Sequence, residues 1–565
     1  MNIQKQGFDN KEIQNYITPK SIEFVRILDS FNRIKALLGA ITIEGNIEIL
    51  ATAFEKVAGE HGMEYFAATL YSFNKTPLFQ AKELFGSVKR TSYALIPEEL
   101  IDEVKLLIKV GKAESRGFIY DEKKDRFTFN ANAFAKHFVK RCVACSTEDG
   151  RIFIYNKKGV YEELPEVKLG KLIRHIMHEG MWNSWRSTCE VEAIKAIQRE
   201  IPTVVQMNSY RNYINLKNGM LCLDNFELHS HSPKYVSTIQ LPIIYDPNAK
   251  APTFEKFMQE ITNNDDSLIS VHQEVAGNCL TSETKAEKAV FYYGRGANGK
   301  SVFASTLTEL VGRENVSNIP LSNFNQDFGL ESIINKSVNI ASENELGGKF
   351  LKTENFKAIV SGDRININKK YHSHINYQPF CKLIFLVNNI PDTSDTTNGY
   401  FRKILIIPFN RTFKENERDV NLKEKLLKEL PGILNWALEG LKRLRENQYQ
   451  FSKSAAIEKC MEAYFAEQNP VREFFKEHII KQEDTRTRQS DFYDMYSRWL
   501  TVQGIDDKGT KSRQIFWKQF KIVLESEQIP ITKKKIKGIV YFEGLRIVGL
   551  DDEMTPTLTG DLIQF

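Results

Sequence analysis

Residues 294–301 read GRGANGKS, which places three glycines, a lysine and a serine within eight positions. A glycine-rich turn can point its backbone N–H groups at an anion, and Lys300 adds a point charge beside them. The Ser301 hydroxyl is a hard oxygen ligand suited to Mg2+. The spacing satisfies G-x-x-x-x-G-K-[ST], the pattern that cradles nucleotide phosphates. Gly294, Gly296, Ala297, Asn298, Gly299, Lys300 and Ser301 are therefore the candidate contacts for ATP. Such a cradle needs a strand before it and a helix after it, because the helix N-terminus adds its positive dipole end. "AVFYY" precedes the turn and "SVFASTLTELVG" follows it, as a strand and a helix would.

Hydrolysis needs groups that the cradle lacks. "KSVNIASENEL" reads as a buried strand that ends at Glu343, with Glu345 two residues on. Glu343 suits polarisation of the attacking water and ligation of Mg2+, and Glu345 could support or replace it. The plain alternative is a pair of surface glutamates at a strand end. A third apolar run, "KLIFLVNNIP", ends in Asn388, whose amide could sense the γ-phosphate. "GYFRKILIIPF" sets Arg402 at the edge of a further strand, with no evident partner in its own chain. It could serve a neighbouring subunit as an arginine finger.

Two other stretches suit nucleic acid. In "SGDRININKKYHSHINYQPF" two alternating runs flank Lys369, Lys370, Tyr371, His372 and His374, the pattern of a hairpin with a basic, aromatic tip. Lysine meets phosphate and a ring stacks on a base, although a solvated basic turn would read the same way. Residues 508–548 hold ten basic and three acidic side chains, more net positive charge than the +5 of the whole chain. There "SRQIFWKQFKIVLES" places Ile515, Phe516, Phe520, Val523 and Leu524 on an apolar stripe, leaving Arg513 and Lys518 outside. "ITKKKIKGIVYFEGLRIVG" reads as two strands and a turn carrying Lys533, Lys534, Lys535 and Lys537. A helix for the major groove and a charged wing would hold double-stranded DNA.

The elements that must position these groups follow from the wider pattern. At 565 residues, 42% hydrophobic and 26% charged, the chain is expected to form several globular domains. Residues 1–116 read as mostly helical and 117–246 as mixed α/β, with an Asn-Gly hairpin in "LKNGMLCLD". The prolines near 247 suggest a boundary, 247–468 alternates strands and helices as a parallel sheet requires, and 469–565 forms a last domain. No apolar run is long enough for a bilayer, and the polar amino terminus lacks a secretory core, so a cytoplasmic protein is expected. Seven scattered cysteines argue against a disulfide framework. Cys142, Cys145 and His137 have metal-like proximity but lack a fourth zinc ligand.

The order "GANGKS", "NIASENE", "SGDRINI", "LIFLVNNIP", "GYFRKILIIPF" resembles the superfamily 3 helicases of viruses, phages and plasmids, within the ring-forming AAA+ class. The "LKNGMLCLDNFELHSHSP" region is similar to the domain preceding this ATPase in the poxvirus and phage primase-helicase type, and the last domain resembles a winged helix. The resemblance spans roughly residues 150–550. It implies a multidomain α/β fold: an AAA+ P-loop core with a parallel sheet, a helical amino-terminal region and a carboxy-terminal winged helix. It also implies a homohexamer whose hairpin, Lys369 to His372, grips single-stranded DNA, with nucleotide on Lys300 and Ser301. Glu343 would be the catalytic acid, Asn388 the sensor and Arg402 the finger. Ser342 departs from relatives that carry a second acidic residue there. The reading is thus a replication initiator helicase acting at an origin. A bifunctional primase-helicase and a regulatory ATPase remain alternatives; for priming, the amino-terminal third offers only the separated Asp9, Asp29 and Asp102.

Overall fold

The computed structural model describes residues 15–16, 43–74, 76–342, 353–368, 375–391, 393, 395, 398–468, 470–504, 513–530 and 532–549. Contacts divide the chain into two compact units, Met1–Tyr210 with His229–Thr238, and Arg211–Leu228 with Ile239–Phe565.

In the first unit, four helices lead: α1 (Ile43–Ala58), α2 (Gly62–Asn74), α3 (Leu78–Ser87) and α4 (Glu98–Glu114). Their apolar faces meet around Phe54, Phe66, Val104 and Leu107. A hairpin of β1 (Phe118–Asp121) and β2 (Arg126–Phe129) precedes α5 (Ala131–Arg141), which Asn130 caps by accepting from the Ala133 N–H at 3.0 Å. Then come β3 (Ala144–Thr147), β4 (Ile152–Tyr155), β5 (Tyr161–Glu163), α6 (Glu166–Gly180), α7 (Ser187–Glu200) and β6 (Thr203–Val204), with sheet order β5-β4-β3-β6. Glu179 on α6 accepts from Arg141 at 2.8 Å and lies 3.5 Å from Arg116. Burial, and then those two guanidinium groups, pushes His137 down to about 3. Cys142 and Cys145 sit in separate apolar clusters, and burial pushes their thiols up to about 12 and about 11.

The second unit starts with β7 (Tyr213–Leu216) and β8 (Gly219–Cys222), and β9 (Leu228–His229) is the third strand of their sheet. Leu216 pairs with Gly219, so Lys217 and Asn218 make the turn and the glycine opens the next strand. Leu216, Leu221 and Leu223 join the same core cluster as Phe254 and Val290. The packing therefore divides upstream of the boundary suggested near 247: prolines mark where the chain is loose, and burial decides what it packs against.

Two helices, α8 (Pro252–Ile261) and α9 (Asp266–Cys279), lead into β10 (Ala289–Tyr293) and α10 (Lys300–Val311). Next follow β11 (Val316–Ser317), β12 (Val338–Ala341), α11 (Thr353–Ser361), the antiparallel pair β13 (Ile365–Ile367) and β14 (Ile375–Tyr377), β15 (Lys382–Val387), α12 (Asn398–Phe401) and β16 (Ile404–Pro408). The sheet order is β11-β12-β15-β10-β16, with all four pairings parallel. Both faces are buried, which is why these strands read as continuous apolar runs. Val290, Tyr292, Ile384, Leu405 and Ile407 enter one core cluster, and Ala289, Phe291, Phe385 and Ile406 the other. A polar residue inside β12, Asn339, is satisfied in place: its amide accepts from Ile319 N at 2.7 Å and donates to Ile319 O at 3.0 Å.

Helices α13 (Leu422–Lys428), α14 (Leu430–Glu446) and α15 (Ala455–Gln468) follow. Gly440 of α14 lets that helix approach α9 closely, since a Cβ there would lie 2.2 Å from Gln273 O. The last elements are α16 (Pro470–His478), β17 (Ile479–Arg488), α17 (Gln489–Val502), α18 (Arg513–Ser526), β18 (Thr532–Ile536) and β19 (Ile539–Ile547), with antiparallel order β17-β19-β18. Phe516, Phe520, Val523 and Leu524 are buried as their spacing suggests, but Ile515 is 40% exposed. Strand β17 was not evident in the sequence, because "IIKQEDTRTR" is mostly polar and its outer part is solvent-facing.

Buried His272 on α9, like His137, is held near a pKa of about 3 against a usual 6.5, because burial disfavours the imidazolium. Between those values the unfolded chain binds more protons than the folded chain, so stability falls as pH drops below 6.5. We expect His272→Leu to reduce that slope by about one proton, or ~1.4 kcal/mol per pH unit. Denaturant unfolding from pH 7 to pH 5 measures it; equal slopes for the two proteins would contradict the assignment.

Candidate active site

Parallel pairing fixes which residues share an edge of the sheet. Tyr293 pairs with Val387 and Ala341 with Phe385, so the glycine turn after β10, Asn388 after β15 and Ser342 after β12 all leave the same carboxy-terminal edge. The turn enters α10 at Lys300, and Gly299 precedes it with φ +89. A Cβ at Gly299 would lie 2.6 Å from Ile261 Cγ2, and one at Gly294 would lie 2.6 Å from Phe409 O. Both positions need glycine on two grounds, backbone region and space. Gly296 differs, since a Cβ there meets nothing within 4 Å. Ala297 also has positive φ, and its carbonyl accepts from Phe413 N at 2.8 Å.

Asn298 turns inward. Its amide donates to Arg295 O at 2.5 Å and to Phe409 O at 3.4 Å, pinning the loop to the end of β16. Lys300 is buried, its ammonium donating to Gly294 O and lying 3.4 Å from Asn388 Oδ1. Burial lowers its pKa. The cation is thus held among neutral carbonyl oxygens at the mouth of a helix N-terminus, an arrangement that a phosphate oxygen can satisfy better. Ser301, one residue into α10, is exposed. Behind the loop, His272 stacks on Tyr292 at 5.5 Å and meets Phe303 and Phe409 edge-on, giving the turn a rigid aromatic floor.

Arg402 lies at the other edge. Ala289 pairs with Ile404, so Arg402 precedes β16 where the strands begin. The length of β10, about 3.3 Å for each residue, separates it from the glycine turn. Its side chain is exposed and its carbonyl accepts from Lys288 Nζ at 2.6 Å. Beside it Lys403 is buried and paired with Glu287 at 2.8 Å, anchoring the chain so that Arg402 projects. A groove of about 690 Å³ opens there, lined in part by Glu287, Glu354, Lys357, Asp363 and Arg402. This groove was not legible in sequence, because its walls come from segments far apart in the chain.

Of the other sequence candidates, Glu343, Glu345, Lys369, Lys370, Tyr371 and His372 lie outside the described residues. Their flanks are described: Ser342 is at the edge that carries Asn388, and Ile367 pairs with Ile375. In the carboxy-terminal region Arg513, Lys518, Lys533, Lys534, Lys535 and Lys537 are all exposed. Lys537 and Gly538 form a two-residue turn with positive φ at both positions, matching the twist of an antiparallel pair. Lys533 lies over the Phe542 ring at 4.8 Å and Arg513 over Tyr493 at 5.7 Å.

Two family models match this chain. Residues 131–263 match the D5 N terminal like family, and residues 292–403, which hold the glycine turn, Asn388 and Arg402, match a family of unknown function, DUF5906. "Putative helicase 184R" of Invertebrate iridescent virus 6 is 26% identical over 149 residues, covering 22% of this chain and 15% of the viral protein. Among solved structures, the A form apo structure of the NrS-1 C terminal region aligns with a TM-score of 0.43 at 13% identity, covering 72% of this chain and 96% of that one. A second apo structure of the same region gives the same score and identity over 97% of its length. Among the described residues, no helix is long and apolar enough to cross a membrane.

The glycines make separable predictions. Gly299→Ala should lower stability by about 1–3 kcal/mol through strain and the clash with Ile261. Gly296→Ala should leave the melting temperature within a degree or two. Equal effects in thermal unfolding would contradict the loop geometry.

Proposed function

We propose that this chain is an ATP-dependent replicative DNA helicase and replication initiator of the superfamily 3 type, built on an AAA+ P-loop core. The observation that carries the reading is the meeting of Lys300 and Asn388 at one edge of a parallel sheet, with exposed Arg402 at the opposite edge. In this reading Gly294 to Ser301 cradle the phosphates of ATP, and Lys300 leaves Gly294 O for the γ-phosphate. Ser301 and Glu343 hold Mg2+, which neutralises charge on the transferring phosphoryl group. Glu343, supported by Glu345, orients the water, and Asn388 holds it against the γ-phosphate.

Arg402 cannot complete the site of its own chain across the height of the sheet, so it acts on the next protomer, and subunits then close into a ring. Six is the number that the resemblance implies. The β13–β14 hairpin carries Lys369, Lys370, Tyr371 and His372 into the channel, where they grip single-stranded DNA. The carboxy-terminal region works as a winged helix, with α18 offered to a major groove and the β18–β19 turn to the backbone, holding double-stranded DNA at an origin. The exposed lysines of β18 and the match to a viral protein called a helicase support this part.

Lys300→Ala is expected to lose nucleotide binding and strand displacement together. Normal hydrolysis in that variant would remove the glycine turn from the site. Arg402→Ala should keep nucleotide affinity within about twofold and lower turnover by about 10³-fold or more. Mixing the two inactive proteins should restore part of the activity, because mixed rings pair an intact cradle with an intact arginine. No rescue at any mixing ratio would argue against a shared site. Lys370→Ala should abolish unwinding of a forked duplex while sparing basal hydrolysis; unwinding at the normal rate would overturn the role of the hairpin.

A further inference from the structure

A groove of about 610 Å³ lies between the starts of α17 and α18 and the β18–β19 turn, lined by Gln489, Ser490, Arg513, Gln514, Trp517 and Ile539 together with Val540. We propose that it receives a single unpaired nucleobase of the DNA held by this region. The inference rests on the reading that residues 470–549 bind DNA, and it adds a base-binding subsite that a major-groove helix and a wing do not require.

The lining has the chemistry of a base pocket. Trp517 is half-buried, and one ring face lies parallel to Phe542 at 5.6 Å and 13°, so its orientation is fixed. Phe520 and Phe516 hold it edge-on. Because Trp517 is only half-buried, its indole N–H can donate to a bound ligand. Ile539, 40% exposed, and Val540 form an aliphatic wall, an uncommon use of isoleucine at the tip of a polar, lysine-rich hairpin. Gln514 and Gln489 supply amides that can both donate and accept, as the edge of a base demands. Arg513 at the rim is exposed, with its guanidinium 5.7 Å from the Tyr493 ring and without an ion pair among the described residues.

Size and charge agree. Clefts of roughly 300–1,000 Å³ hold small-molecule ligands, and one nucleotide falls within that range. Lys535 pairs across the hairpin with Val540, Lys537 lies two residues before Ile539, and both are exposed, so the strand that carries the base would have cations beside it. A protein ligand with an acidic or apolar side chain would satisfy the wall or the rim, but not the amides and the indole together. The unpaired base could come from inside a distorted duplex or from a strand end.

The test uses the full chain and three DNA probes of one sequence at fixed salt: a blunt duplex, the same duplex with one bulged thymidine, and the duplex with a single-nucleotide overhang. Wild-type protein should bind one of the unpaired probes about tenfold more tightly than the blunt duplex, and which one identifies the source. Gln514→Ala combined with Ile539→Ala, both at exposed positions, should bring that ratio close to one while blunt-duplex affinity stays within about twofold. Trp517→Phe, which keeps the core filled, should lower the ratio partway. Equal wild-type affinity for all three probes overturns the pocket alone, as does a ratio unchanged by the double variant. No binding to any probe overturns the pocket and the DNA-binding reading together.

Discussion

Strand direction is the constraint on which the rest depends. Because β10, β12, β15 and β16 run parallel, every loop that follows a strand gathers at one edge and every residue that precedes one gathers at the other. The glycine turn, Asn388 and Ser342 share the first edge, and Arg402 takes the second. No side-chain rotation moves a residue across a sheet buried on both faces. The distribution of chemistry between edges is thus set when the strands pair, before any ligand arrives.

Packing then makes that geometry stiff. The aromatic floor of His272, Tyr292, Phe303 and Phe409 supports the turn from below, and Phe409 also accepts from Asn298. A similar device operates at the opposite edge, where buried Lys403 pairs with Glu287 and leaves Arg402 free to extend. Buried Lys382 at the start of β15 donates to the carbonyls of Thr281 and Phe380, and burial pushes its pKa down to about 8. These cations are satisfied by fixed neighbours, which costs stability relative to apolar packing but allows few arrangements. Lys300, like Lys382, is held by neutral oxygens, but it stands in the glycine turn at a helix N-terminus, where a phosphate can replace them.

Much of this was legible because the physics is local. The apolar runs of β10, β12, β15 and β16 identify strands buried on both faces, and the glycine pattern identifies the turn between β10 and α10. Asn388 stands where an apolar run stops, and the pairing of β15 beside β10 brings it to Lys300. What escaped depends on distant segments. The hairpin of β7 and β8 joins the second unit through Leu216, Leu221 and Leu223, a long-range contact that no composition shift near 247 reveals. Ile515 fits a helical stripe yet stays exposed, since periodicity gives a face and not the width of its partner. The groove beside Arg402 and the pocket under Trp517 are likewise made by tertiary contacts.

The central claim is that one chain supplies the phosphate cradle and another supplies the arginine. The most direct measurement is a structure of the assembled protein with a non-hydrolysable ATP analogue. The account predicts phosphates within residues 294–301, the Lys300 ammonium moved from Gly294 O to the γ-phosphate, and Arg402 of an adjacent protomer reaching the same group. Phosphates bound elsewhere, or Arg402 turned away from every nucleotide in a closed ring, would contradict it.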